Sequence, residues 1–113
     1  MSGISCHVLD TSLGRPAAGI EVRLERLAED DDWQSLAAAL TNADGRAAGL
    51  EGVTPRALGP HRLTFELEEY FGRTSQASFF PRVQVEFIVS SLSEKYHVPL
   101  LLSPFGYCTY RGS

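Results

Sequence analysis

The sequence is poor in the features that mark secreted, membrane-spanning or nucleic-acid-binding chains. It has only two cysteines, Cys6 and Cys108, too few for a disulfide framework. Both read as reduced thiols in or near a core. There is no basic run, and 14 acidic residues against 10 basic ones leave a net charge of −4. That balance argues against nucleic acid and against docking on anionic lipid. No apolar stretch approaches the ~20 residues of a membrane-spanning helix. The opening Met-Ser-Gly-Ile-Ser-Cys-His lacks the basic and apolar regions of a secretory signal, so a cytoplasmic location is expected. Metal signatures are also missing. The three histidines, His7, His61 and His97, show no His-x-x-x-His spacing, and there is no Cys-x-x-Cys. A zinc shared by Cys6, His7, His97 and Cys108 is disfavoured, because neighbours in a strand point to opposite faces. Asp30-Asp31-Asp32 lacks the one-three-five spacing of calcium loops and reads as a solvated hairpin end. No cofactor is expected.

What the chain does have is alternation. At 113 residues it is expected to form one domain, 1–113. Ile4, Cys6 and Val8 oppose Ser5, His7 and Leu9. Ile20, Val22 and Leu24 oppose Glu21, Arg23 and Glu25. Leu63, Phe65 and Leu67 oppose Arg62, Thr64 and Glu66, and Val83, Val85, Phe87 and Val89 oppose Arg82, Gln84 and Glu86. Each period of two predicts a half-buried strand. Trp33–Thr41 is read as a further strand, although its alanines favour helix. Asn42-Ala43-Asp44-Gly45 is turn chemistry, with Gly45 suited to positive φ. Residues 47–60, rich in Gly and Pro, predict loop with one short edge strand. Glu68–Ser75 predicts a short helix, its two leading glutamates favouring the positive end of the helix dipole. Two more strands flank Ser103-Pro104-Phe105-Gly106. The sum is an all-β, antiparallel β-sandwich with one short helix.

Parity then points at chemistry. With Val98, Leu100 and Leu102 facing the core, His97, Pro99, Leu101 and Ser103 face out, as does His7. An outer face carrying two histidines beside Leu9, Pro99 and Leu101 is expected to be covered by another subunit. His61, at the start of a strand, is expected to be exposed and is assigned no role.

Three segments, taken in order, carry a resemblance: Cys6-His7-Val8-Leu9-Asp10, Thr41-Asn42-Ala43-Asp44-Gly45-Arg46, and the C-terminal stretch from His97-Val98-Pro99-Leu100-Leu101-Leu102-Ser103-Pro104 to Tyr110-Arg111-Gly112-Ser113. Together they resemble the 5-hydroxyisourate hydrolases of the transthyretin-like family. The resemblance spans essentially the whole chain. It implies two four-stranded sheets with a helix after the fifth strand. It also implies a homotetramer, a dimer of dimers, with the sites in the channel between dimers. The implied reaction is hydrolysis of 5-hydroxyisourate to 2-oxo-4-hydroxy-4-carboxy-5-ureidoimidazoline in urate degradation, with His7, Arg46, His97 and Ser113 catalytic. His7, Arg46, Tyr110, Arg111 and Gly112 would bind this small-molecule substrate. A neutral imidazole suits proton abstraction from water near neutral pH, and a guanidinium that stays charged suits a developing oxyanion. Which histidine is the base is left open. Two positions depart from the family pattern: His61, where Tyr is more usual, and Cys108, a Ser or Thr position expected to face inward. A transthyretin-type small-ligand carrier using the same channel is the alternative, and an interaction module without chemistry is a third reading.

Overall fold

The computed structural model describes residues 3–50 and 55–113. Its strands are β1 (Gly3–Asp10), β2 (Arg15–Pro16), β3 (Glu21–Leu27), β4 (Trp33–Leu40), β5 (Gly59–Glu66), β6 (Arg82–Val89), β7 (Lys95–Ser103) and β8 (Gly106–Thr109), with helix α1 (Glu68–Arg73) after β5. They form two four-stranded sheets, ordered β2-β1-β7-β8 and β4-β3-β5-β6. The core is the set the alternation selects, with Ile4, Cys6, Val8, Val22, Leu24, Leu63, Phe65 and Leu100 all essentially without solvent contact. Every pair is antiparallel except β1 with β7, which run parallel. These two strands lie far apart in sequence, so no hairpin constrains their direction.

Several expectations need correction. The 47–60 segment holds a single 3-10 turn at Ala48–Leu50 and no strand before Gly59 among the described residues; residues 51–54 lie outside them. His61 is buried rather than exposed, at 1%, because it shares parity with Leu63 and Phe65 and so faces the core. Its Nδ1 lies 3.0 Å from the Gly59 carbonyl oxygen, and its ring packs 6.0 Å from that of Phe87. Thr64 is buried too, its hydroxyl donating to Glu25, which Arg62 also clamps. Cys108 is exposed rather than inward, because it pairs with Leu101 on the outer face. Cys6 is buried on the other face and two strands away, and neither cysteine is in a disulfide. The outer-face residues Leu9 and Leu101 are half-buried and Pro99 is buried already in the single chain.

One polar group is deeply involved in the packing. Asp10, fully buried at the end of β1, accepts at Oδ1 from the Ser12 and Leu13 backbone N–H groups and the Ser12 hydroxyl. At Oδ2 it accepts from Tyr70 (2.6 Å) and Gln76 (3.2 Å). The carboxylate thus ties the β1 turn to α1. Burial disfavours its charge, but the hydrogen bonds from Ser12, Tyr70, Gln76 and Leu13 outweigh this, and its pKa is lowered. Glu25 is lowered chiefly by Arg62, and Glu66 chiefly by Arg23. The unfolded chain therefore takes up protons at these three groups before the folded one does. Their stability contribution is complete above the unfolded carboxylate range, about pH 4, and fades as pH falls below it. We expect Asp10→Asn to cost about 1–3 kcal/mol, because an amide N–H would then face the donors of Gln76 or Ser12. Urea titration at pH 7 checks this. At pH 3 the gap between the two proteins should narrow.

Candidate active site

The first sheet positions the candidate residues from three directions. Strand β1 carries His7 outward between the inward Cys6 and Val8, and β7 carries His97 outward between Tyr96 and Val98. The parallel register sets Ser5 opposite His97 and His7 opposite Pro99. The two histidines are therefore diagonal neighbours on one face, on strands about 4.8 Å apart.

The second direction is the turn after β4. Asn42 closes it, its Oδ1 accepting from the backbone N–H of Asp44 (2.9 Å) and of Arg46 (3.1 Å). Gly45 sits at φ +78°, a conformation that disfavours a side chain. Its carbonyl accepts from Val8 N–H at 2.8 Å. A Cβ there would collide with the Val8 carbonyl oxygen and come within 3.3 Å of His7 Cδ2. The turn is thus pressed against β1, and His7 and Arg46 form an antiparallel bridge.

The third direction is the C-terminal tail. Beyond β8, which the Thr109 hydroxyl fastens to the Pro99 carbonyl (2.8 Å), Gly112 bridges His97 and donates its N–H to the His97 carbonyl at 2.8 Å. A Cβ on Gly112 would lie 2.5 Å from His97 Cδ2 and 3.2 Å from Pro99 Cγ. The tail backbone therefore rests directly on the imidazole.

His7, Arg46, His97 and Gly112 thus come together on one face. Arg111 does not join them: its guanidinium reaches the Lys95 carbonyl (3.2 Å), the Glu94 carboxylate (3.8 Å) and the Tyr96 ring (4.8 Å) at the sheet edge. Tyr110 is 55% exposed and borders, with Arg111 and His97, a cleft of about 310 Å³ also lined by Val85, Phe87 and Val98. Ser113 is exposed. One participant escaped the sequence reading. The Ser5 hydroxyl lies 2.7 Å from His97 Nδ1. Its outward parity was visible, but its partner depends on the parallel register. Among the described residues no three His, Cys, Asp or Glu side chains converge as metal ligands would. Two histidines and an arginine brought to one face supply groups that can abstract a proton and hold an oxyanion.

The sequence profile of the HIUase/Transthyretin family matches residues 4–112. A mouse 5-hydroxyisourate hydrolase is 46% identical over 99% of this chain and 96% of its own length. Among solved structures, Klebsiella pneumoniae 5-hydroxyisourate hydrolase superposes with a TM-score of 0.83 at 39% identity, covering all of this chain and 94% of that one. Sea bream transthyretin in complex with thyroxine superposes with a TM-score of 0.88 at 26% identity, over 97% and 94% of the two chains. The chain belongs to the HIUase/Transthyretin family.

Proposed function

We propose that this protein is a hydrolase that opens the ring of 5-hydroxyisourate, and that its site is the outer face of β1 and β7. The observation that carries the site is the pair of bridges, His7 to Arg46 and His97 to Gly112, on adjacent strands of one sheet. Full-length likeness to proteins named 5-hydroxyisourate hydrolase supports the reaction over the carrier reading.

In this reading water attacks the ring carbonyl carbon of the cyclic amide. An imidazole of the His7/His97 pair takes the water's proton as the C–O bond forms. The carbonyl oxygen becomes an oxyanion facing Arg46, whose guanidinium keeps its charge and offers forked donors. The C–N bond then breaks, the proton passes to the departing ring nitrogen, and the product carries a new carboxylate. In this reading Gly112 and Ser113 edge the site, Tyr110 and Arg111 border the adjoining cleft, and the Arg111 contacts at Glu94 and Lys95 anchor the tail.

The assembly belongs to the same proposal. Phe79 and Phe105 are 71% exposed and Tyr107 44%; Phe80 links the rings of Phe79 and Tyr107 at 5.0 and 5.3 Å, and Phe79 N–H binds the carbonyl of Pro104, next to Phe105, at 2.8 Å. A monomer rarely leaves such a patch to water. We assign a homotetramer, a dimer of dimers that encloses the histidine face as a channel. Two cysteines outside any disulfide fit a reducing, cytoplasmic setting.

The test uses 5-hydroxyisourate generated freshly from urate with urate oxidase. Its ultraviolet decay should accelerate in proportion to added protein, with light scattering reporting a tetramer at micromolar concentration. A decay rate independent of protein concentration would remove the hydrolase reading, and a monomer would remove the assembly.

A further inference from the structure

We propose that Ser5 is a positioning residue for His97: its hydroxyl holds Nδ1, so that Nε2 is the nitrogen that exchanges the proton with water. The inference rests on the hydrolase reading and deepens it by assigning a role to a residue outside the expected site.

The geometry is a clamp with two jaws. On one side the Ser5 Oγ lies 2.7 Å from His97 Nδ1, a short and therefore strong contact. On the other, the Gly112 backbone rests against Cδ2, the carbon next to Nε2, leaving no room for even a methyl group. Rotation of the ring about its Cβ–Cγ bond would exchange Nδ1 and Cδ2, breaking the Ser5 contact and placing a carbon beside the hydroxyl. The ring is therefore held in one orientation, with its Nδ1 edge toward β1 and its Cδ2–Nε2 edge toward the tail. The parallel register makes this possible, because only it sets Ser5 directly opposite His97.

The chemistry of a hydroxyl suits the task. A serine oxygen accepts as well as donates. When it accepts from Nδ1–H, the neutral imidazole carries its lone pair on Nε2 and is a base there. After Nε2 takes the proton, Nδ1–H still donates to the same oxygen. The contact strengthens as the ring gains charge, and no group has to reorient during the transfer. A hydroxyl in this role favours the imidazolium, so its loss should make His97 harder to protonate. The variants below leave the charged and titratable groups on the neighbouring elements unchanged, among them His7, Arg46, Lys95, Cys108, Tyr110 and Arg111.

Ser5→Ala and Ser5→Thr separate this role from packing. Thr keeps the hydroxyl and suits a strand. In the urate-oxidase-coupled assay Ser5→Ala is expected to lower kcat/KM about tenfold, mainly through kcat, and to move the acid limb of the pH profile to lower pH. Ser5→Thr should restore both. Equal losses in the two variants, or an Ala variant with the wild-type rate and profile, would overturn the proposal. A second measurement does not depend on turnover. Nitrogen-15 NMR of the ring should show His97 of the wild-type tetramer as the Nδ1–H tautomer, with Ser5→Ala shifting both the tautomer balance and the titration midpoint. An unchanged His97 spectrum in Ser5→Ala would refute the clamp even if the enzyme is active. An inactive wild type with a normal Ser5–His97 signature would instead fault the hydrolase reading alone.

Discussion

Gly112→Ala is expected to lower kcat/KM about a hundredfold or more while the sandwich stays folded. The new Cβ would start 2.5 Å from His97 Cδ2 and 3.2 Å from Pro99 Cγ, well inside ordinary carbon contact distances of about 3.5–4.0 Å. Pro99 belongs to a central strand of its sheet and yields little. The remaining choices are that His97 swings toward β1, disturbing its contact with Ser5, or that the tail lifts and breaks the Gly112–His97 backbone bond. Either displaces the imidazole or the tail by an ångström or so, and misplacement on that scale costs about a hundredfold. Stability should change little, because Gly112 lies beyond β8 and outside the core cluster. Steady-state kinetics beside urea titration separate the effects. A Gly112→Ala protein with the wild-type kcat/KM would show that tail and imidazole are not coupled as described.

How far such a site is legible in sequence depends on the range of the interaction. Parity is local, so the outward aim of His7 and His97 and the inward aim of Val98, Leu100 and Leu102 could be counted off the chain. The same count places His61 inward with Leu63 and Phe65. A polar residue at a strand start suggested exposure, but its position in the pleat prevails. Register is not local. That β1 and β7 run parallel, and that Ser5 consequently meets His97, is set by the closure of the whole sandwich. Asp10 shows both ranges at once. Its bonds to Ser12 and Leu13 are turn chemistry and could be anticipated, whereas Tyr70 and Gln76 arrive from sixty and more residues away. Gly45 was visible as a turn residue, but the reason no side chain is tolerated, the Val8 carbonyl and the His7 ring beyond it, required the turn to be docked on β1. The tail glycine likewise has no signal of its own until His97 lies beneath it. The resemblance supplied these site residues without their reasons.

The largest loss is expected for Arg46→Ala, a fall in kcat/KM of about 10²–10³, the usual cost of removing one oxyanion-stabilising group. The backbone holds Arg46 in the turn. Its N–H is held by Asn42 Oδ1, its carbonyl accepts from Asn42 N–H at 2.8 Å, and the neighbouring Gly45 carbonyl is bonded to Val8. Truncating the side chain leaves each of these bonds intact, so the turn should keep its shape and His7 its position. The lost rate then reports the guanidinium itself. Arg46→Lys adds a finer test, because an ammonium restores the charge without the planar fork. If charge alone steadies the oxyanion, Lys should recover most of the rate; if forked donation matters, it should recover little. His7→Asn and His97→Asn serve as companions. Each should lower kcat/KM by about 10²-fold or more through loss of the proton acceptor, with circular dichroism and light scattering unchanged, since both side chains leave the sandwich on its outer face. Combining Arg46→Ala with His97→Asn should cost much less than the product of the two losses, because groups that act on one transition state fail as a unit. Near wild-type kcat/KM in Arg46→Ala would show that the turn's charge lies outside the reaction, leaving the histidine face without its partner for the oxyanion.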